Sequence, residues 1–293
     1  MQEQVSFESD GLTLSAVIHI PDGYDGTPLP AFIVCHGFVG TKDESHAQLQ
    51  AEMMEAFGYI ALRFDFRGCG QSEGARAQVR CMDQVADAKN ALTWLAKRPE
   101  VDAARIGITG HSFGAAVSVY TAGIDERIAC CISSCGWGDG ERKFRGQHPT
   151  PEAWTKFTGL LEAGRKHKQE TGESMWISRF DAVPIPEALR KNLSPKAIME
   201  IPVETAWSMM QFRADDVVAN IAPRPLLLFH TANDIITPTT ESVRMWEKAG
   251  HPAELMLIDT TAHFPLAPAD APRTKALMKS WLDKFFPTPL SAG

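Results

Sequence analysis

The sequence predicts an α/β protein: a mostly parallel sheet with helices on both faces, interrupted by an inserted, mostly helical cap. Three observations predict it. Short apolar runs alternate with helical patterns through most of the chain. The runs are continuous rather than alternating, as in strands buried on both faces. The stretch from Trp137 to Asp215 breaks that rhythm and holds no convincing strand.

The elements follow in order. Leu14 to Ile20 reads as a strand closed by the turn Pro21-Asp22-Gly23. Ala31 to Cys35 is the next strand and runs into His36-Gly37. Leu49, Met53 and Phe57 repeat every four residues, a helical stripe with Gly58 as its C-terminal stop. Tyr59 to Phe66 is a strand, and Val85, Ala88, Leu92 and Leu95 mark a helix with Pro99 beyond it. Arg105 to Thr109 and Ile128 to Ser133 are strands on either side of an Ala-rich helix that opens at Ala115. Leu226 to His230 and Glu254 to Ile258 enclose a helical stripe of Val243, Trp246 and Ala249; Leu277, Trp281 and Phe285 mark the last helix. Strand and helix in alternation are the signature of a doubly wound sheet.

Within the inserted stretch, Thr150 to Lys168 and Val203 to Phe212 read as helices, and Pro184 and Pro186 break the middle. A segment of this size between two sheet strands has to lie outside the sheet. The expected division is a core over residues 1–136 and 216–293 and a cap over residues 137–215.

Composition narrows the function. Lys plus Arg is 29 and Asp plus Glu is 36 among 293 residues, a net charge of −7 with no long basic run, which argues against nucleic acid as a partner. No apolar stretch is long enough to span a membrane. Met1 to Asp10 is polar and acidic, unlike a secretory signal. The six cysteines show no CxxC spacing and no zinc pattern with histidine. Reduced thiols in a cytoplasmic protein, with no metal, are expected.

One motif carries chemistry. Gly110-His111-Ser112-Phe113-Gly114 fits G-x-S-x-G, directly after a strand and directly before a helix. A serine on that tight turn is held in a strained conformation, with its Oγ clear at the helix N-terminus. A serine hydroxyl is a poor nucleophile at neutral pH and needs a base and a group to orient that base. In this arrangement the acid and then the histidine follow the serine in the chain. Asp234 stands just past the strand Leu226 to His230, and His263 follows the strand Glu254 to Ile258, with one helix and one strand between them. Asp259, Asp215 and Asp216 are rival acids, but none follows a strand end in the expected place. His230 lies inside a strand and reads as a satisfied core histidine, His251 as a surface turn, and His111 as part of the elbow itself. Oxyanion donors are expected from the amide of Phe113 and from that of Phe38 in the loop His36-Gly37-Phe38-Val39-Gly40.

These residues resemble the α/β-hydrolase superfamily, and within it the dienelactone-hydrolase-like and cinnamoyl (feruloyl) esterase-like branch. The likeness rests on His36-Gly37-Phe38 with Gly40 and Lys42, on Arg63-Phe64-Asp65-Phe66-Arg67-Gly68 with Gly70 and Ser72, on the serine elbow, and on Asp234 and His263. It covers Met1 to about Ser134 and Asp216 to Phe286. The resemblance implies an eight-stranded, mostly parallel sheet, a Ser112–His263–Asp234 triad, backbone oxyanion donors at Phe38 and Phe113, no cofactor, and hydrolysis of esters or related acyl bonds. Two features depart from it: Ala115 stands where many relatives carry glycine, and the cap matches no family pattern.

The expected substrate is a small-molecule carboxylic ester; an amide, a thioester or a diketone-like C–C bond would use the same triad, and a non-catalytic receptor would reuse the fold alone. The cap adds two clues. Trp137 follows the strand Ile128 to Ser133, whose C-terminal end faces the active-site crevice, so it is a candidate pocket residue. Arg142, Lys143, Arg145, Lys156, Arg165, Lys166 and Lys168 make the start of the cap basic, either as a solvated helix face or as cations that favour a carboxylate-bearing substrate.

Overall fold

A computed structural model describes residues 1–190, 197–260, 263–266 and 271–291. In chain order the elements are β1 (Gln2–Ser9), β2 (Leu12–His19), β3 (Leu29–Cys35), α1 (Ser45–Ala56), β4 (Ile60–Phe64), α2 (Cys81–Leu95), β5 (Val101–His111), α3 (Phe113–Ile124) and β6 (Ile128–Ser134). The inserted segment follows with α4 (Gly140–Gln147), α5 (Pro151–Thr171), β7 (Trp176–Ser178), α6 (Arg179–Ala182), α7 (Glu187–Arg190), β8 (Glu200–Pro202) and α8 (Val203–Gln211). The chain then returns to the sheet through β9 (Leu226–Thr231), α9 (Thr240–Lys248), β10 (Ala253–Ile258) and α10 (Ala271–Phe285).

The sheet has eight strands in the order β1-β2-β4-β3-β5-β6-β9-β10. β1 and β2 pair antiparallel, as do β2 and β4; all other neighbours are parallel. The strand alternation sorts the core into two layers. On β3, Leu29, Ala31, Ile33 and Cys35 pack with Val85, Leu92 and Val117 of α2 and α3. Phe32 and Val34 pack the other way, against Ala51 and Met54 of α1 and Trp281 and Leu282 of α10. Both faces are therefore covered by helices, as the continuous apolar runs require.

From β3 the chain crosses first to β4 on one side and then to β5 on the other. The C-terminal ends of β3 and β5 therefore face a topological switch point, where ligands of such sheets bind. The loop 36–40 and Ser112 sit there.

Three details differ from the sequence reading. β1 was not expected. It is an edge strand whose residues are mostly exposed, and only Phe7 and Ser9 are fully buried. The inserted segment is mostly helical, but β7 and β8 form a two-stranded antiparallel ribbon; three residues each is too short for periodicity to reveal. In α9 the buried face is Glu241, Ser242 and Met245, and Trp246 of the expected stripe is exposed. Trp246 instead donates Nε1–H to the Ala253 carbonyl at 3.2 Å.

Candidate active site

The elbow is strained where the motif requires it. Ser112 has φ +56° and ψ −114°, between the end of β5 and the start of α3. Its amide donates to the Ser134 carbonyl at 2.8 Å and pins the turn to β6. Two glycines make room. A Cβ on Gly110 would stand 2.4 Å from the Gly114 carbonyl, and one on Gly114 would stand 2.3 Å from the Cys35 carbonyl. The helix start thus packs directly on the end of β3.

The loop after β3 is held from beneath. The Asp65 carboxylate accepts from the Lys42 amide at 2.6 Å, the Lys42 ammonium at 3.0 Å and the Gln71 amide at 2.9 Å. A Cβ on Gly70 would collide with that carboxylate. These contacts give a physical reason for Lys42, Asp65 and Gly70 in the family-like motifs: they anchor the far end of the loop that carries Phe38. The rings of Phe38 and Phe113 lie 5.9 Å apart, and among the described residues neither amide has an acceptor within the protein.

Asp234 and His263 meet. His263 Nδ1–H donates to Asp234 Oδ2 at 2.6 Å, and Asp234 Oδ1 accepts from the amides of Ile236 and Thr237 at 2.7 and 2.9 Å. The Asp234 carboxylate has no solvent exposure. Burial alone would raise its pKa, but the donors from His230 and His263 prevail and hold it well below the usual carboxylate range. His263 Nε2 is buried and makes no hydrogen bond among the described residues. The rival acids are elsewhere: Asp259 is exposed, and Asp215 is taken up by Arg142 and Lys248, each at 2.9 Å.

His230 is satisfied in the core, and it also touches the acid. Its Nε2 lies 3.2 Å from the Thr237 carbonyl and 3.3 Å from Asp234 Oδ2. Both partners only accept, so the proton sits on Nε2, and Nδ1 accepts from Ser242 Oγ at 2.7 Å. The signal for this contact was a histidine inside the apolar run Leu226 to Phe229, since a buried imidazole needs partners.

A second histidine group lines the elbow. His111 lies 4.7 Å from His263 and 4.9 Å, nearly parallel, from His46 (ring centroids). Burial pushes His46 down to about 4, helped by His263, and pushes His111 well below its ordinary value. Both therefore stay neutral at physiological pH beside His263. Cys135 completes the surroundings, with its sulfur and ligand atoms of Asp234 and His263 all within 4.8 Å of one another. His263 Nδ1 is already committed to Asp234, so this arrangement reads as the acid–histidine pair with a thiol beside it.

The cap cations resolve into different roles. Arg142 pairs with Glu241 at 2.6 Å and with Asp215, while Arg145, Arg165, Lys166 and Lys168 pair with Glu141, Glu162, Glu170 and Glu204. Lys156 is exposed, 4.0 Å from Asp181. Lys143 alone of the seven is buried, with no hydrogen bond or ion pair for its Nζ among the described residues. Trp137 is buried between the elbow and the cap, 6.3 Å from the Phe113 ring and 5.6 Å edge-on from Phe212.

The profile of the X-Pro dipeptidyl-peptidase (S15) family matches residues 10–265. The chain belongs to this family, whose members share the α/β-hydrolase fold. It is 25% identical over 283 residues to an uncharacterized 31.7 kDa protein of Escherichia coli encoded in the traX-finO intergenic region, covering 94% of this chain and 96% of the relative. It is 26% identical to the polyketide transferase grgF of Penicillium sp (87% and 86% covered) and 24% identical to the thiohydrolase aneE of Aspergillus aculeatus (88% and 84%). Among solved structures, the α/β hydrolase GrgF from Penicillium sp. sh18 superposes with a TM-score of 0.81 at 23% identity, covering 97% of this chain and 99% of the other. Est1E from Butyrivibrio proteoclasticus, solved with ferulic acid bound, superposes at 0.68 with 17% identity (96% and 98% covered). The fold expected from the sequence is the one observed. The described residues include no helix long and apolar enough to cross a membrane.

Proposed function

We propose that this protein is a serine hydrolase that cleaves a carboxylic acyl bond, an ester in the first instance, through an acyl-enzyme. One observation carries the reading. The Asp234–His263 pair is closed at 2.6 Å, while the remaining nitrogen of His263 is buried without a partner among the described residues, beside the elbow that strains Ser112. Ser112 Oγ attacks the carbonyl carbon as its proton passes to His263 Nε2. The Phe38 and Phe113 amides, which have no partner among the described residues, receive the oxyanion. The intermediate collapses, the bond to the leaving group breaks, and His263 returns the proton to the departing oxygen. Water then attacks the acyl-enzyme by the same route and frees the acid and Ser112.

A second reading keeps every one of these roles and changes the leaving group to a thiol. The relatives named as a thiohydrolase and as polyketide transferases favour it. The substrate is in either case a small molecule, and the expected compartment is the cytoplasm.

The deciding experiment sets wild type and Ser112→Ala against matched ester and thioester pairs with the same acyl group. Turnover lost by at least ~10³-fold in Ser112→Ala supports the serine reading, and the ratio of the two wild-type rates chooses between the leaving groups. Equal rates in wild type and variant would overturn it.

A further inference from the structure

The aromatic row beside the elbow ends in a cation. Phe38 packs on Phe113, Phe113 on Trp137, and Lys143 Nζ sits 5.6 Å from the Trp137 ring centroid and 4.0 Å from that of Phe144. Phe113 is the residue that follows Ser112, so the row leads from the oxyanion donors into the cap.

Lys143 is only 2% exposed. The carboxylate with the strongest pull on it, Glu241, is already engaged: it accepts from Arg142 Nε at 2.6 Å, Arg142 Nη2 at 2.7 Å, and the amides of Gly138 and Asp139 at 3.1 Å. The other group acting on it, the Cys81 thiol, is pushed up to about 12 by burial and is neutral. The ammonium therefore stands beside two ring faces with no counter-ion among the described residues. A buried cation held only by π faces is poorly compensated, because such contacts recover less than the lost hydration. Burial accordingly lowers Lys143 to about 7. A group kept in that condition, next to the one cap tryptophan that touches the elbow, is suited to receive an anion.

We propose that Lys143 is the anion-binding end of the acyl pocket, and that the substrate is an acyl ester or thioester whose acyl chain carries a second, terminal carboxylate. The inference rests on the serine-hydrolase reading and specifies its substrate class. The acyl chain runs along Phe113 and Trp137, its scissile carbonyl at Ser112 and its carboxylate at Lys143 Nζ. No covalent step is added. Arg179 marks the opposite end of the row, with its guanidinium 5.8 Å from the Phe38 ring centroid and its Nε buried without a partner among the described residues. That end already has an acid, Glu44, whose charge acts on Arg179, so Lys143 is the better-suited partner for a carboxylate.

The test uses mono-p-nitrophenyl esters of straight-chain dicarboxylic acids from glutarate to suberate. Each is paired with its neutral methyl ester at the far end. Wild type, Lys143→Met and Arg179→Met are compared by kcat/KM. For at least one chain length wild type is expected to prefer the free acid by about tenfold or more, as one charge-assisted contact supplies. Lys143→Met is expected to bring that ratio near one, by a loss on the free acid that exceeds any change on its neutral partner. Circular dichroism melting checks that the variant folds. A ratio unchanged in Lys143→Met, or lost in Arg179→Met instead, overturns the proposal. Titration calorimetry on Ser112→Ala with the mono-amides of the same acids separates the two readings. Binding that vanishes in Ser112→Ala/Lys143→Met supports the Lys143 site even where no ester turns over, and no binding overturns it. Ser112-dependent hydrolysis without selectivity leaves the serine reading standing and removes this one.

Discussion

Asp234 receives donors from two backbone amides, from His263 and from His230. The amides fix the carboxylate plane, and the two imidazoles share one oxygen. Asp234→Asn is expected to leave the fold intact and lower kcat by about 10⁴-fold, because the amide favours the wrong tautomer of His263. In the proposed mechanism His230 would act through Asp234, as a positioning residue. His230→Ala is expected to lower kcat about tenfold with KM unchanged, the worth of one hydrogen bond to a charged group; an unaltered kcat would reduce it to a packing role. Ser112, Asp234 and His263 were singled out because each has a fixed place after a strand, and the structure brings Asp234 and His263 into contact, whereas the His230 contact depends on a side-chain direction that no spacing encodes. Lys143 was legible only as one of seven cations, and burial sets it apart. Its folded-state value near 7 lies below the unfolded ~10.4. Below pH 7 both states hold the proton, and the folded state carries the full cost. Between about 7 and 10.4 the unfolded chain binds more protons, so stability rises with pH. Lys143→Met is therefore expected to stabilise by about 1–4 kcal/mol at pH 6, with the gain fading towards pH 10 in urea titrations.

Elements are tied together by few, identifiable contacts. Arg142 of α4 joins Glu241 of α9 to Asp215, two carboxylates with 1% side-chain exposure. Arg142→Met leaves Asp215 with Lys248 and Glu241 with only backbone donors, and is expected to cost about 3 kcal/mol by chemical denaturation. This explains why the stripe read for α9 was wrong. The helix buries a charged residue, Glu241, that an apolar pattern counts as outside. β1 escaped detection for a related reason, since an edge strand with one wet face carries little apolar periodicity. The six inner strands were legible because burial on both faces demands continuous apolar runs. At the elbow, Gly114→Ala drives a methyl group into the Cys35 carbonyl. The expected result is a loss of about 3 kcal/mol or more together with activity, because the loop bearing Phe38 begins at that point.

At the scale of the whole molecule, the cap and the sheet share a core. Phe144, Phe157, Leu161, Ile201 and Val203 of the inserted segment belong to the same buried cluster as Phe113 and Val117. Polar ties reinforce it: Thr205 Oγ accepts from the Val79 amide at 3.2 Å and donates to the Ala77 carbonyl at 3.0 Å, and Ser208 Oγ accepts from the Cys81 amide at 2.9 Å. With the core shared in this way, we expect one cooperative thermal transition rather than two, checked by calorimetric against van't Hoff enthalpy. Four of the six cysteines, Cys35, Cys69, Cys81 and Cys131, lie in this shared cluster, Cys130 packs on the other face of the sheet, and Cys135 is buried beside Asp234. All six are free, and burial raises every thiol above its ordinary value. A maleimide in solution therefore meets almost no thiolate while the native state persists. Alkylation then becomes a clock for opening of the fold, and its rate, followed by mass spectrometry at each cysteine, maps which layer of the sheet parts first.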